Sequence, residues 1–327
     1  ALIADPELPR KAAEGRAEDI RTCIACMVCA DTRKTNGLPI RCTVNPAVGR
    51  ERDYRITPSE KPRKVLVAGG GPAGMEAARV SAMRGHQVIL CERDGQLGGI
   101  LNIGAVPPHK EEIKTITPHL ATQLKKLGVE VRLGKEVTSE LVQEMKPDVV
   151  ILAIGAVNRI PRDVPGIDRE NVAADLDVLS GKAKVEGKEV FVIGGGLCGC
   201  EVAELLAEQG KKVTITTRRP LEELAPNIEP RPRKLLLQRL AKYGVKMMAN
   251  VRLEAVTDEG VTLVDKNWVR HTLKADNVVL SAGMVADTRL AKTLEGKVPK
   301  LYMIGDCVEP RTILDAIHEG YRVACKI

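Results

Sequence analysis

The stretch KVLVAGGGPAGMEAARVSAMRGHQVILCE, residues 64–92, decides the fold. An apolar strand runs into a glycine turn, a helix with small apolar residues at helical spacing follows, and a second strand ends at Glu92. In this context a G-x-G-x-x-G pattern, here Gly69, Gly71 and Gly74, predicts dinucleotide binding. The first glycine permits the tight turn, the second lets the backbone approach a pyrophosphate, and the third lets helix and strand pack.

A second stretch, EVFVIGGGLCGCEVAELLAEQGKKVTITTRRP at residues 189–220, repeats the pattern. Its glycines are Gly194, Gly196 and Gly199, and Gly194 follows Gly69 by 125 residues. A single glycine turn often binds nothing, but two matched copies in the same strand and helix context favour two nucleotide sites. The sequence therefore predicts an α/β protein with two Rossmann-like folds.

The two copies differ at the residue that would meet the adenosine ribose. Glu92 ends the second strand of the first copy, where a carboxylate accepts hydrogen bonds from the ribose hydroxyls. The second copy has Thr217 at this position, followed by Arg218 and Arg219. A guanidinium matches a phosphate, whereas a carboxylate repels one. The pattern predicts a 2′-phosphate pocket and hence NADPH, with NADH as the alternative if these arginines are solvated loop residues.

Four of the nine cysteines lie in CIACMVCADTRKTNGLPIRC, residues 23–42, with the spacing C-x2-C-x2-C-x12-C. Structural zinc sites usually combine two separated pairs of ligands. Here Cys23, Cys26 and Cys29 crowd into seven residues and Cys42 follows at a distance, which favours a 4Fe–4S cluster. Zinc, and disulfides or free thiols, are the alternatives.

Two further cysteines, Cys198 and Cys200, lie within the second glycine turn. A redox-active pair is one interpretation, because a helix N-terminus lowers the pKa of a thiol, and packing of small side chains is the other. No histidine stands in a context that suggests a catalytic triad, so all five are assigned to the surface or the core: His86, His109, His119, His271 and His318.

Composition excludes several classes of function. The chain has 327 residues and a net charge of +7, and no run of Lys and Arg with interleaved aromatics indicates nucleic-acid binding. The longest strongly apolar stretch, residues 149–157, is too short to span a bilayer. The scattered cysteines and the lack of a recognisable signal peptide predict a cytoplasmic location. Because the sequence opens at Ala1 without Met, we expect either a processed N-terminus or the later part of a longer protein.

Three further stretches carry a family resemblance: CTVNPAVGRE (42–51), QLGG (96–99) and IGDCVEPRTILDAIHEGYRVA (304–324). Together with the cysteine spacing and the first glycine turn, they resemble the C-terminal half of the multidomain old yellow enzyme-like flavoproteins. This family includes 2,4-dienoyl-CoA reductase and trimethylamine dehydrogenase. Its members begin with a (β/α)8 barrel that holds FMN and the substrate, so the resemblance implies such a barrel as a fused domain or a partner subunit, in an oligomer.

The resemblance also assigns segments and residues. It implies a barrel-end tail, cluster segment and linker over 1–60, an FAD domain over 61–165 and 285–327, and an inserted NAD(P)H domain over 166–284. It implies a 4Fe–4S cluster on the four cysteines of residues 23–42. The FAD-binding residues that it implies are Gly69, Gly71, Gly74, Glu92, Arg93, Gly99, Val137, Gly155, Asp306 and Ile313. For the nicotinamide nucleotide, the second glycine pattern and its flanking charges predict Gly194, Gly196, Gly199, Arg218 and Arg219. The two arginines depart from the family, whose NADH-using members tend to carry an acidic residue at this place.

Physical chemistry supports the assignment at the C-terminus independently of the family. Asp306 follows a strand and is placed to hold the ribityl or phosphate region of a flavin. A helix that begins after Thr312 directs the positive end of its dipole toward the pyrimidine edge, where negative charge accumulates on reduction.

The function implied is electron transfer from NAD(P)H through FAD to the cluster, and on to FMN of a barrel that acts on an enoyl, enoate or amine substrate. No side chain of this chain is required as an acid–base catalyst. One alternative is an NADPH electron donor that resembles the small subunit of glutamate synthase. Another is a module that resembles trimethylamine dehydrogenase, with structural ADP and no use of NAD(P)H. The charged, proline-rich stretch 218–233 is predicted as a loop, with a helix beginning at Leu235.

Overall fold

The computed structural model describes residues 1–226 and 228–327, with side chains for all of these except residues 34 and 35. Asn227, which belongs to the predicted loop 218–233, lies outside the described residues. The chain divides into two compact units. The first comprises residues 1–105, 111–157 and 285–327, and the second comprises residues 106–110 and 158–284.

The strands are short and are numbered in chain order. They are β1 (Lys64–Ala68), β2 (Gln87–Cys91), β3 (Glu130–Arg132), β4 (Val149–Leu152), β5 (Ala156–Asn158), β6 (Val172–Ala174), β7 (Glu189–Ile193), β8 (Lys212–Thr216), β9 (Lys246–Met248), β10 (Val251–Thr257), β11 (Gly260–Asp265), β12 (Arg270–Leu273), β13 (Asn277–Leu280), β14 (Met284–Ala286) and β15 (Leu301–Met303).

The helices range from a single turn to three turns. They are α1 (Leu8–Ala13), α2 (Val28–Ala30), α3 (Pro72–Met83), α4 (Ile100–Gly104), α5 (Ile116–Lys126), α6 (Ser139–Met145), α7 (Asp175–Leu179), α8 (Leu197–Glu208), α9 (Pro230–Lys242), α10 (Arg289–Leu294) and α11 (Ile313–Ala324). Short 3-10 or π turns cover Ala17–Asp19, Asp31–Thr35, Glu111–Thr115, Leu221–Glu223 and Gly305–Cys307.

The first unit is built on a parallel sheet with the strand order β15-β4-β1-β2-β3. Its strands are runs of aliphatic residues that are buried on both faces, as in parallel sheets covered by helices. The chain proceeds from β1 to β2 and β3 on one side and then returns to place β4 on the other side of β1. Sheets of this type bind ligands at the carboxyl ends of their strands, where the strand order reverses.

The second unit repeats this plan. Its parallel sheet has the order β6-β13-β7-β8-β9, and a separate antiparallel meander has the order β10-β11-β12. Each glycine turn follows the central strand of its sheet, β1 or β7, and opens a helix, α3 or α8. The prediction of two Rossmann-like folds is therefore confirmed.

The predicted loop 218–233 is wrong at its C-terminal end, because α9 already begins at Pro230. The Glu229 side chain accepts a hydrogen bond from the Arg231 N–H and caps the helix. A proline is well tolerated in the first turn of a helix, where its missing N–H would have had no partner. The proline-rich composition thus marks a helix start and not a continued loop.

Helix α11 packs against α3 at unusually close range. A Cβ atom at Gly320 would overlap the carbonyl oxygen of Ala73 in the first turn of α3, and Gly305 lies against the side chain of Ala73. One face of this helix carries the apolar residues Leu314, Ile317 and Tyr321, which are all buried. The C-terminal helix is therefore held directly against the turn that follows β1.

No helix in the described part of the chain is long and apolar enough to cross a membrane.

We expect Gly320→Ala to lower the free energy of unfolding by about 1–3 kcal/mol, since the added methyl group must push two backbones apart. The control is Gly104→Ala, because Gly104 is also helical but has no atom within 4 Å of an added Cβ. Alanine there is expected to be neutral or to stabilise by up to about 1 kcal/mol. Thermal melts measure both, and equal melting temperatures would contradict the close packing of α3 and α11.

Candidate functional site

The three fingerprint glycines of the first unit have different surroundings. A Cβ atom at Gly69 would overlap the carbonyl oxygen of Ala153 beyond β4, and a Cβ atom at Gly74 would overlap the carbonyl oxygen of Gly69. At Gly71 there is no atom within 4 Å of an added Cβ. The outer glycines thus allow strand and helix to pack, while the middle one leaves open space before α3. This open backbone at a helix N-terminus fits a pyrophosphate.

Glu92 stands at the carboxyl end of β2 and is only 6% exposed. Its Oε2 accepts a hydrogen bond from the Gly70 N–H at 2.6 Å, and its Oε1 accepts one from the Asp94 N–H at 2.8 Å. Each carboxylate oxygen has lone pairs to spare for a further donor. The side chain is therefore fixed next to the glycine turn with acceptor capacity left over, which fits the hydroxyl groups of a ribose.

Three more predicted residues lie at the carboxyl ends of the same strands. Gly99 belongs to a loop that packs on the turn, with an added Cβ at 3.4 Å from the Gly71 Cα atom. Gly155 follows β4 with φ +78° and no atom near an added Cβ. Asp306 follows β15 in the Gly305–Cys307 turn. The structure thus brings the glycine turn, Glu92, Gly99, Gly155 and Asp306 to one edge of the first sheet.

Asp306 and the start of α11 form the C-terminal part of this edge. Burial raises the pKa of Asp306, and the Arg311 N–H, which donates to its Oδ1 at 3.1 Å, opposes this shift. Helix α11 begins with a capping box, in which the Thr312 and Asp315 side chains each accept a hydrogen bond from the other's backbone N–H. A capping box of this kind fixes where the helix begins. The positive end of the helix dipole is therefore also fixed at this place.

Three predicted cofactor residues differ in exposure. Arg93 is exposed, Ile313 is half-buried in the first turn of α11, and Val137 is 7% exposed within the core formed by β1, β2, β4 and α6. Since the Val137 side chain is occupied by core packing, its backbone is what it can offer to a ligand. Their assignment to FAD stays a prediction.

The glycine turn of the second unit has the same geometry. A Cβ atom at Gly194 would overlap the Ser281 carbonyl oxygen, and one at Gly199 would overlap the Gly194 carbonyl oxygen. Gly196, like Gly71, has open space around an added Cβ. Ser281 is itself fixed, because its Oγ donates to Asp175 Oδ2 at 2.6 Å. The second turn is therefore equally able to receive a pyrophosphate.

Thr217 replaces the carboxylate in the second unit. It is 8% exposed, and its Oγ1 accepts a hydrogen bond from the Arg219 N–H at 3.1 Å. The Arg218 and Arg219 side chains are both exposed, and the Arg219 guanidinium lies 3.7 Å from the Glu223 carboxylate. The guanidinium groups of Arg218 and Arg219 are thus available to an anionic ligand beside Thr217, which carries no charge. Only Arg219 is loosely paired with a carboxylate.

A buried carboxylate that the sequence did not single out lies in α8. Glu201 is 8% exposed, and the Lys110 ammonium group approaches its Oε1 to 2.5 Å. Burial raises the pKa of Glu201, and Lys110 opposes the shift. In the sequence, CGCEVAELL places Glu201 in the first turns of the helix that follows the glycine turn. This position is the signal by which the residue could have been found.

The structure favours packing for Cys200. It is fully buried, and burial raises its pKa to about 12, so that the thiol stays protonated at neutral pH. Cys198 is exposed. The thiolate character that a reactive cysteine needs is therefore absent at Cys200.

The cysteine segment is irregular up to Met27, the residue that precedes α2. Ala25 and Met27 have left-handed backbone conformations, with φ of 52° and 62°, which are uncommon for residues with a side chain. Among the described residues no three Cys, His, Asp or Glu side chains already lie close enough to hold one metal ion.

Cys42 is the most buried of the four predicted ligands, at 9% exposure. Burial raises the pKa of its thiol, and hydrogen bonding from the backbone N–H groups of Val44 and Asn45 opposes this shift. The Cys26 Sγ lies 3.2 Å from the Thr43 Oγ1, so the two parts of the segment meet next to Cys42. Four thiols on one loop, with N–H donors to a buried sulfur, fit an iron–sulfur cluster by donor type. The ligand assignment itself stays a prediction.

A buried charge cluster lies beside this segment. Glu76 and Arg79 of α3 form a paired contact at 2.7 and 2.8 Å, with Glu76 only 1% exposed. Together with Arg21 and His119, Glu76 lines a small cavity next to Val44. Burial, aided by the charges of Arg21 and Arg79, lowers the pKa of His119 to about 4, so this histidine is neutral at pH 7.

His318 is a core histidine whose contact with the cysteine segment the sequence did not predict. It is 8% exposed, and its Nε2 lies 2.8 Å from the Cys42 carbonyl oxygen. Its spacing from Leu314 and Tyr321 places it on the buried stripe of α11. That spacing is visible in the sequence, but it does not reveal that the stripe faces the cysteine segment.

Comparisons with known proteins agree with this geometry. A model of the pyridine nucleotide-disulphide oxidoreductase family matches residues 63–320. An NADH oxidase of Thermoanaerobacter brockii is 42% identical, over 100% of this chain and 50% of that protein. A cinnamate reductase of Clostridium sporogenes is 35% identical, over 100% and 48%. The structure of a 2-naphthoyl-CoA reductase complex superimposes with a TM-score of 0.94 at 38% identity, over 100% and 49%.

The second glycine turn allows a test that separates packing from ligand approach. Gly196 has φ −69° and ψ 176°, which alanine adopts freely, so Gly196→Ala should leave the melting temperature unchanged. Its methyl group should nevertheless block the pyrophosphate and weaken nicotinamide nucleotide binding by about tenfold or more, which is about 1.4 kcal/mol. Nucleotide titration and thermal melts measure the two effects.

The matched variant is Gly199→Ala, whose methyl group would overlap a carbonyl oxygen. It should lower the free energy of unfolding by about 1–3 kcal/mol. Unchanged nucleotide affinity in Gly196→Ala would contradict the assignment of this turn to the pyrophosphate.

Proposed function

The chain belongs to the pyridine nucleotide-disulphide oxidoreductase family, and we propose that it forms the electron-transfer half of a larger iron–sulfur flavoprotein. In this proposal it carries electrons from NAD(P)H through FAD to a 4Fe–4S cluster held by the cysteine segment. The observation that carries the proposal is the pair of equivalent nucleotide turns, of which only the first has a fixed carboxylate at the ribose position.

The chain spans about half the length of the relatives it matches. We propose that the remaining half is an FMN-bearing barrel, as the sequence resemblance implies, fused to this chain or supplied by a partner. The names of the relatives refer to an NADH oxidase, a cinnamate reductase and a 2-naphthoyl-CoA reductase complex. An activated C=C bond is therefore the substrate class that we favour for the whole protein, with an amine as the alternative.

The chain's own residues bind and orient the cofactors. FAD, when bound, takes a hydride from the nicotinamide and passes the two electrons on singly to a one-electron carrier. The first turn of α3 presents free N–H groups and a positive dipole end to the pyrophosphate, and Glu92 accepts hydrogen bonds from the ribose. Asp306 and the start of α11 hold the flavin end, while Cys23, Cys26, Cys29 and Cys42 would hold the cluster.

Experiment can separate this proposal from its alternatives. Cofactors released by denaturing the full-length protein should include FAD, and about four iron atoms should be found per chain. Addition of NADPH or NADH under anaerobic conditions should bleach the flavin absorbance. Release of ADP in place of FAD, with an unchanged spectrum on addition of either nucleotide, would overturn the proposal and favour a structural nucleotide.

For the nucleotide itself we propose NADPH. A phosphate at the ribose 2′ position would meet the exposed guanidinium groups of Arg218 and Arg219, and Thr217 adds no repelling charge. The name of the relative from T. brockii refers to NADH, so the choice between the two nucleotides needs a direct test.

We expect the double variant Arg218→Gln/Arg219→Gln to raise the KM for NADPH by about 10- to 100-fold, since two charge-assisted hydrogen bonds are lost. The KM for NADH should stay within about twofold. The control is Arg270→Gln, an exposed arginine of the second unit that pairs with Glu254. If the unaltered protein prefers NADH, the phosphate assignment is wrong.

A further inference from the structure

Helix α11 touches two predicted sites of the first unit at once. Its N-terminus follows Asp306 and lies at the carboxyl edge of the sheet, where the flavin is proposed to bind. Its buried face, two turns further on, reaches the cysteine segment through His318. Six residues separate Thr312 from His318, which is about 9 Å along a helix.

The N-terminal end of α11 is fixed in place. The Gly305 N–H donates to the Glu319 Oε2 at 2.7 Å, so the turn that carries Asp306 is tied to the helix itself. The close contact of Gly320 with the Ala73 carbonyl group locks the helix against α3. A shift of α11 relative to the nucleotide turn would therefore require the core of the first unit to reorganise.

One hydrogen bond joins the buried face of α11 to the Cys42 peptide. The Cys42 carbonyl group can only accept, so the His318 Nε2, at 2.8 Å, carries the proton and donates. The peptide so held is followed by Thr43, Val44 and Asn45, which are all buried. Thr43 contacts the Cys26 Sγ at 3.2 Å, so this peptide also adjoins a second predicted ligand. His318 thus supplies the hydrogen bond by which α11 holds the Cys42 peptide, while the Asn45 side chain holds the following residues by donating to the Ile3 carbonyl oxygen at 2.9 Å.

We propose that His318 is a positioning residue for the cluster: its hydrogen bond to the Cys42 carbonyl fixes the buried ligand at a set distance from the flavin end of α11. This inference rests on the proposed function. In this role His318 takes no part in electron or proton transfer. FAD, when bound, would release the two electrons of one nicotinamide hydride one at a time, and the cluster held by the four cysteines would pass each one on to the FMN of the proposed barrel. Groups that orient a metal ligand through a hydrogen bond commonly change affinity or activity by 10–100-fold when removed.

The test compares His318→Leu, which removes the donor, with His318→Gln, whose amide group can still donate to the carbonyl oxygen. In the full-length protein we expect His318→Leu to slow electron transfer from flavin to cluster by about tenfold or more, and to alter the electron paramagnetic resonance signal of the reduced cluster. Reduction of the flavin by NAD(P)H should remain within about twofold of the original rate. His318→Gln should restore the signal and most of the transfer rate.

The control is His86→Leu, a histidine of the same unit that is 6% exposed and whose Nδ1 accepts from the Arg63 N–H. It should lower stability without changing the cluster signal. If His318→Leu does not fold, His318→Asn replaces it, because its shorter amide group cannot reach the carbonyl oxygen. An unchanged signal and transfer rate in the variant that lacks the bond would overturn the inference. Absence of iron or FAD from the unaltered protein would overturn the proposed function instead.

Discussion

The backbones of several segments approach each other closely around the first turn of α3, and the packing of the first unit depends on this close approach. Gly69 makes room for the Ala153 carbonyl group, Gly74 for that of Gly69, and Gly320 for that of Ala73. A side chain at any of these positions would separate a strand or helix from its neighbour. Because the open backbone at Gly71 lies inside this packed set, the fold and the proposed pyrophosphate site depend on the same few atoms.

The second unit packs strand against helix with the same spacing of glycines. It differs from the first unit at the residue that ends the second strand of the motif. Glu92 accepts two backbone hydrogen bonds, whereas Thr217 accepts one and leaves the neighbouring arginines exposed. Duplicated backbone geometry with a changed charge is how one fold can hold two different nucleotides in one chain. The meander over residues 251–273 is an addition that has no counterpart among the described strands of the first unit.

Local patterns predicted most of the fold, because glycine spacing and aliphatic strands act within about thirty residues. The start of α9 at Pro230 was missed since proline occurs both in loops and in first turns, and only the Glu229 cap distinguishes them. The role of His318 could not be predicted for a different reason. Its partner, Cys42, lies 276 residues away, and such a contact depends on how α11 packs against the unit. Glu201 was overlooked although it stands beside a recognised motif, because an acidic residue in a helix is ordinarily solvated.

The interruption of the first unit by the second sets the order in which the chain can fold. Strand β15 pairs with β4, yet residues 158–284 are made between them. At ordinary rates of translation, roughly 8–30 seconds pass between the emergence of these two strands. The second unit is complete by then, while the apolar face of α3 around Val80 still waits for Tyr321 and Ala324. During each round of synthesis the nascent first unit thus exposes an uncovered helix face until α11 has been made and can pack against α3.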